Sequence, residues 1–147
     1  MQFTTLNQII NKFEQIAETH AQINGFGFGE SFEISASEQE KYPLLWVNVL
    51  ASNITDRTLE LRIGYMVIDI VADDNFNEKD TLSDTLSIAQ DVFALISSPA
   101  NQDSFEVSNQ LTLTPMFEAL PDKVNGWLCE TAINIAYTAN RCQVPTK

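Results

Sequence analysis

The chain has 147 residues and 44% apolar content, enough for one domain that folds around its own core without disulfides or metals. Twenty acidic residues face eight basic ones, for a net charge of −12 and an isoelectric point near 4.2. Such a surface repels phosphate backbones and anionic membranes, which disfavours direct nucleic-acid or lipid-headgroup binding.

The first predicted element is a helix over Leu6–Thr19. Leu6, Ile9, Ile10, Phe13, Ile16 and Ala17 fall on one stripe, and Thr4 or Thr5 can cap it. A loop follows, Asn24-Gly25-Phe26-Gly27-Phe28-Gly29-Glu30, with a short strand expected at Ser31–Ser35. Leu44–Leu50 is apolar on both faces, as in a central strand. A turn at Asn53–Arg57 leads into a long strand, Thr58–Val71, which alternates at first and is apolar on both faces later, apart from Asp69.

Ala72–Asp80 reads as an acidic loop. A second helix is expected over Leu82–Ser97, with Leu82, Leu86, Ala89, Phe93 and Ile96 as one stripe and Ile88, Val92 and Leu95 beside it, a broad apolar surface that lies across a sheet, with Asp80 or Thr81 as cap and Asp84 in the first turn. Pro99 ends it. A short strand at Phe105–Val107 precedes a strand at Gln110–Leu120, where Pro115 marks an edge or bulge. Pro121–Gly126 carries an Asn-Gly turn signal, and Trp127–Ala139 alternates as the last strand. The expected fold is α+β: one domain over 1–147, two helices on a mostly antiparallel mixed sheet, in the order α-β-β-β-α-β-β.

Little in this sequence points to catalysis. His20, the lone histidine, ends the first helix, where a cation suits the helix dipole. Without a second histidine or a Gly-x-Ser-x-Gly no triad assembles. Gly25–Gly29 lacks the Lys-Ser/Thr of a phosphate loop and follows a helix, so its glycines turn the chain while Phe26 and Phe28 anchor it. Asp73-x-Asn75-x-Asn77 resembles the start of a calcium loop, but Glu78 stands where such loops need glycine. Cys129 and Cys142 lack metal or disulfide spacing, and Cys129 fits a small buried hydrophobe in mid-strand. Asp69 marks where its strand emerges from cover; the rival reading is a buried acid of a carboxylate-pair hydrolase. No catalytic, cofactor or metal residue is expected. Met1-Gln2-Phe3-Thr4-Thr5 has no signal-peptide character, and no segment has the ~18 apolar residues of a membrane span, so a cytosolic start is expected.

Three stretches carry a family resemblance. They are the strand Met66–Val71 with the helix Leu82–Val92, the end from Val124-Asn125-Gly126-Trp127 to Arg141-Cys142-Gln143-Val144-Pro145, and the opening helix with Ile23–Gly29. Together they resemble tail-completion (tail-terminator, neck) proteins of tailed bacteriophages, with a texture shared by phages of Bacteroides, including crAss-like phages. The resemblance implies a sheet flanked by helices and a six- or twelve-fold homo-oligomeric ring between the portal or connector and the tail. That ring would lie in the virion neck and complete the DNA channel, its subunits being made in the bacterial cytoplasm. It carries no active site and no cofactor. It implies an acidic lumen, for which Asp73, Asp74, Glu78, Asp80 and Asp84, or the Glu30–Glu40 segment, are the best match. Contacts between subunits would draw on Arg57, Arg62 and Arg141. A negative lumen denies DNA the gain from counterion release, so the genome slides through. The rival of a different class is an anionic binding module, a DNA mimic that fills the basic groove of a host protein.

Overall fold

The computed structural model describes residues 4–30, 42–71, 77–101, 104–117, 124–137 and 142–147. Helix α1 spans Leu6–Thr19. Thr5 caps it through a reciprocal pair: its hydroxyl accepts the Gln8 N–H at 3.3 Å, and the Gln8 side chain accepts the Thr5 N–H at 2.9 Å. Ile9, Phe13, Ile16 and Ala17 are buried, whereas Leu6 stays exposed at the helix start.

Six strands follow the chain: β1 Gly25–Phe28, β2 Leu44–Thr55, β3 Thr58–Ile70, β4 Glu106–Val107, β5 Thr112–Met116 and β6 Val124–Ala136. Helix α2, Glu78–Ile96, lies between β3 and β4 and is followed by a 3-10 turn at Pro99–Asn101. The strands form one sheet in the order β1-β2-β3-β6-β4, with β5 also paired to β6. Among the described residues only β1 and β2 run parallel, so the sheet is mixed and mostly antiparallel, and the fold is α+β.

Both helices pack on one face. There Ile9, Phe13 and Ile16 of α1 and Ile88, Ala89, Val92 and Ile96 of α2 meet Leu45, Val47, Ile63, Tyr65, Val67, Cys129 and Ile133 of the sheet. Tyr65 sits at the centre of this core, its hydroxyl donating to the Ala89 carbonyl at 3.0 Å. The opposite face carries a smaller cluster of Tyr42, Leu44, Trp46, Met66, Ile68 and Val124. That cluster is why the strand segments at Leu44–Val47 and Tyr65–Ile68 are apolar on both faces.

Several expectations are corrected. The Asn24–Glu30 segment is not all loop: Gly25–Phe28 pairs with Leu44–Val47 as a parallel edge strand. Strand β2 continues past Leu50 to Thr55, and the turn tightens to Asp56-Arg57, with Asp56 at φ 53°. Helix α2 begins four residues early, with Asn77 in the cap position instead of Asp80 or Thr81, and Asp84 falls in its second turn. Its buried stripe is Thr81, Thr85, Ile88, Ala89, Val92 and Ile96, while Leu82, Leu86 and Phe93 are only half-buried. The two threonines behave as apolar groups because each hydroxyl bonds back to a helical carbonyl four residues earlier.

Asn125-Gly126 is strand, not turn. A Cβ at Gly126 would stand 1.9 Å from the Val67 carbonyl oxygen, so glycine is there because β3 approaches closely. Strand β5 covers only Thr112–Met116 of the expected Gln110–Leu120, and Pro115 lies on it at the sheet edge. The strand expected at 31–35 lies outside the described residues.

Candidate functional site

The register of the sheet gives the molecule two distinct ends. Strand β3 starts beside the Asp56-Arg57 turn and finishes at Ile70, close to the start of α2. Trp127 Nε1 donates to the Leu82 carbonyl, and Tyr65 bonds to Ala89 further along, so α2 runs back toward the turn.

The acidic end comprises the finish of β3 and the first turns of α2. Glu78 and Asp80 occupy the first turn, where carboxylates favour the helix dipole. Asp80 and Asp84 are exposed and Glu78 is half-buried. Asp69 is half-buried at the end of β3, its Oδ1 accepting the Ile70 N–H at 2.8 Å. Burial pushes its carboxyl above the usual range, the Ile70 N–H draws it back, and the Asp84 charge raises it further. The structure thus brings Asp69 close to Asp84, with Glu78 and Asp80 on the turn of α2 before it, all four from one acidic run of the sequence. Asp73 and Asp74 lie outside the described residues, as does 31–40 of the Glu30–Glu40 segment. Glu30 itself is exposed just past β1.

The three candidate arginines separate. Arg62 is committed within its own chain, its Nη2 lying 3.4 Å from Glu130 Oε2 on the sheet face away from the helices. Arg141 lies outside the described residues. Arg57 is exposed at the β2–β3 turn, and its side chain has no ion-pair partner among the described residues. Its backbone is fixed, because its carbonyl accepts the Tyr137 N–H at 2.7 Å.

Beside that turn, from Asn48 to Thr55, the outer edge of β2 has no strand paired to it among the described residues. Strand β1 covers Leu44–Val47, and the Gly29 N–H bonds to the Val47 carbonyl. No charged residue occurs from Tyr42 to Thr55, and Leu50 and Ile54 are exposed. Natural edges are usually blunted by charge or proline; here the one such device is a register shift between Val49 and Ala51.

Two other motifs turn out to be structural. Gly27 lies under the Trp46 ring, where a Cβ would come within 2.1 Å, and the Trp46 Nε1 donates to the Gly29 carbonyl at 2.8 Å. The glycine segment therefore seats a tryptophan rather than only turning the chain. His20 caps the end of α1: its Nδ1 accepts the Gln22 N–H at 3.1 Å, and its Nε2 lies 2.9 Å from the Asp91 carboxylate, which ties α1 to α2. Cys129 is buried opposite Tyr65, and burial pushes its thiol up to about 12, so it is inert at neutral pH.

The feature that sequence reading misses is an open cleft of about 620 Å³ where α2 ends. Ser97, Asn101, Glu106, Ser108 and Asn134 supply most of its polar wall, over the side chains of Ile96 and Phe105. The Ser97 Oγ and the Asn134 Oδ1 are buried without a hydrogen-bond partner. Each such group costs about 1–3 kcal/mol when left unsatisfied, and neither atom is open to the solvent of the cleft. Ser97 ends α2 on the helix side of the sheet, whereas Asn134, between the inward Ile133 and Ile135, belongs to the other face, so the two lie on different sides of the cleft's edge.

Among the described residues no three His, Cys, Asp or Glu side chains converge as a metal site, and no helix there is long and apolar enough to cross a membrane. Comparison with known proteins gave no matching family model and no matching curated sequence.

Proposed function

We propose that this chain is a virion structural protein, the subunit of a homo-oligomeric ring in the neck of a tailed bacteriophage. The ring, six- or twelve-fold, joins the portal or connector to the tail, and its subunits catalyse no reaction. The observation that carries this reading is the acidic end. Asp69, Glu78, Asp80 and Asp84 lie together at one end of the sheet, whereas toward the other the Asn48–Thr55 stretch of β2 is itself uncharged, with Asp56 and Arg57 side by side in the turn that follows it. An end so acidic suits a channel wall past which DNA slides without adhering. An uncharged edge suits a place where copies of net charge −12 can meet. The tail-terminator likeness of the sequence points the same way.

The test is immunogold labelling of purified particles with an antibody to this chain. Gold at the junction of head and tail is expected. Particles without gold, with the protein abundant in the soluble lysate, would remove the neck reading in favour of an anionic module that fills the basic groove of another protein.

A further inference from the structure

We propose that the trough between α1 and the turn after α2 binds a small polyhydroxylated anion, with the Lys12 ammonium as its counter-charge. The site is separate from the acidic end and independent of a place in the neck.

Lys12 differs from the other cations of the fold. It is half-buried, and its side chain has no ion-pair partner among the described residues. The residues three and four away on its helix are Gln8, Ile9, Gln15 and Ile16, so no carboxylate shares its face of α1. By contrast Arg62 is paired with Glu130, Arg57 adjoins Asp56, and Lys79 stands between Glu78 and Asp80. Two cavities flank Lys12, of about 260 and 290 Å³, and Lys12 and Gln15 line both. Each alone is smaller than the roughly 300 Å³ at which small-ligand sites begin; side by side they make a trough of that class. Among the described residues no acidic side chain lines either cavity, in a chain with twenty acids. At a net charge of −12 most of the surface repels anions, so a small anion is favoured where a cation stands clear of carboxylates.

The polarity of the two cavities names the rest of the ligand. In the first, the Gln8 Oε1 is taken by the Thr5 N–H, which leaves the Gln8 Nε2 to donate. Together with the Lys12 ammonium this donor suits an anionic oxygen. In the second, the Asn101 Nδ2 donates to the Leu95 and Ile96 carbonyls at 3.4 and 3.1 Å, which leaves its Oδ1 to accept. The Ser98 Oγ accepts the Ala100 N–H at 3.3 Å, which leaves its own O–H to donate. A ligand group that serves an acceptor and a donor together is a hydroxyl. Leu95, 45% exposed, adds an apolar wall on which the C–H face of a ring can rest. An anionic group at one end and ring hydroxyls at the other describe an acidic sugar, either a uronate or a sugar phosphate.

The experiment titrates the full ¹⁵N-labelled chain with glucuronate, glucose 6-phosphate and glucose, and follows the side-chain amide signals of Gln8, Asn11, Gln15 and Asn101 by NMR. Both acidic sugars carry the required chemistry, and the tighter of the two identifies the anion. Shifts of these amides are expected with a Kd on the order of 1 mM, and glucose is expected to bind at least ~10-fold more weakly. Lys12→Gln keeps most of the stem and removes the charge, and should weaken binding at least ~10-fold. Lys12→Arg should keep it within about three-fold. Lys79→Gln, which changes the net charge equally at the acidic end, should leave it within about two-fold. Since Lys12 is half-buried, the backbone spectrum of Lys12→Gln is compared with the parent first. Gln15→Ala, at an exposed position, is the second variant and should weaken binding about three-fold.

Absence of shifts with either acidic sugar up to about 50 mM overturns the proposal. So does a folded Lys12→Gln that binds as the parent does, or glucose that binds as tightly as glucuronate. Inorganic phosphate that binds as tightly as glucose 6-phosphate overturns it too, because the hydroxyls would then contribute nothing. None of these outcomes moves the gold label on particles, so this site and the neck reading stand or fall separately.

Discussion

Two glycines on adjacent strands set opposite expectations for the same substitution. At Gly126 a new methyl meets the backbone of β3, which cannot move without breaking the ladder, so Gly126→Ala should destabilise the fold by about 3 kcal/mol. At Gly64 the new methyl meets only the Leu50 side chain, at 3.2 Å. Leu50 is exposed and can swing away, so Gly64→Ala should stay within about 1 kcal/mol of the parent in urea unfolding. Asp69 gives a pH signature. Its folded carboxyl holds its proton to higher pH than the unfolded one, whose usual value is 3.8. The folded state therefore binds more protons in that window, and stability falls as pH rises through the folded pKa. Asp69→Asn should raise Tm at neutral pH and leave it unchanged at about pH 3, where both states are protonated. An Asn-Gly pair read locally means a turn. What places Gly126 in a strand is a contact with Val67, a residue far away in the chain, which no local signal carries.

The elements whose character rests on local chemistry are legible in the sequence. Helix α1 has its expected bounds because the stripe and the cap coincide, and the cap is testable: Thr5→Ala should lower stability by about 1 kcal/mol in thermal unfolding. Strand β3 is legible from its alternation, and its double apolar half from the second cluster that the far face buries. The start of helix α2 is hidden because Thr81 and Thr85 read as polar, although their hydroxyls are satisfied within the helix. Strand β1 is hidden because glycine-rich segments read as loop; what makes it a strand is the open edge of β2 and the ring of Trp46. The candidate site is legible only in part. The acidic run foretells the Glu78–Asp84 end, but the cleft is lined from the end of α2, the 3-10 turn, β4 and β6, which only the fold brings together.

At the scale of the whole molecule the net charge dominates. Copies at −12 repel at a distance, and salt screens that repulsion beyond roughly 8–10 Å. Added salt should therefore strengthen association, as read by sedimentation at rising ionic strength; association that weakens steadily would show that specific charge pairs outweigh the general repulsion. The register of β3 bears on a different property. It is hydrogen-bonded to β6 along all of Thr58–Ile70 and to β2 over Thr58–Ile68, antiparallel on both sides. Tension along that strand loads both ladders in shear, so many bonds must fail together, whereas the short β1 and β4 can be peeled away one bond at a time. The molecule is thus mechanically anisotropic, stiff along its central strand and yielding at its margins, like a plank with hinged edges.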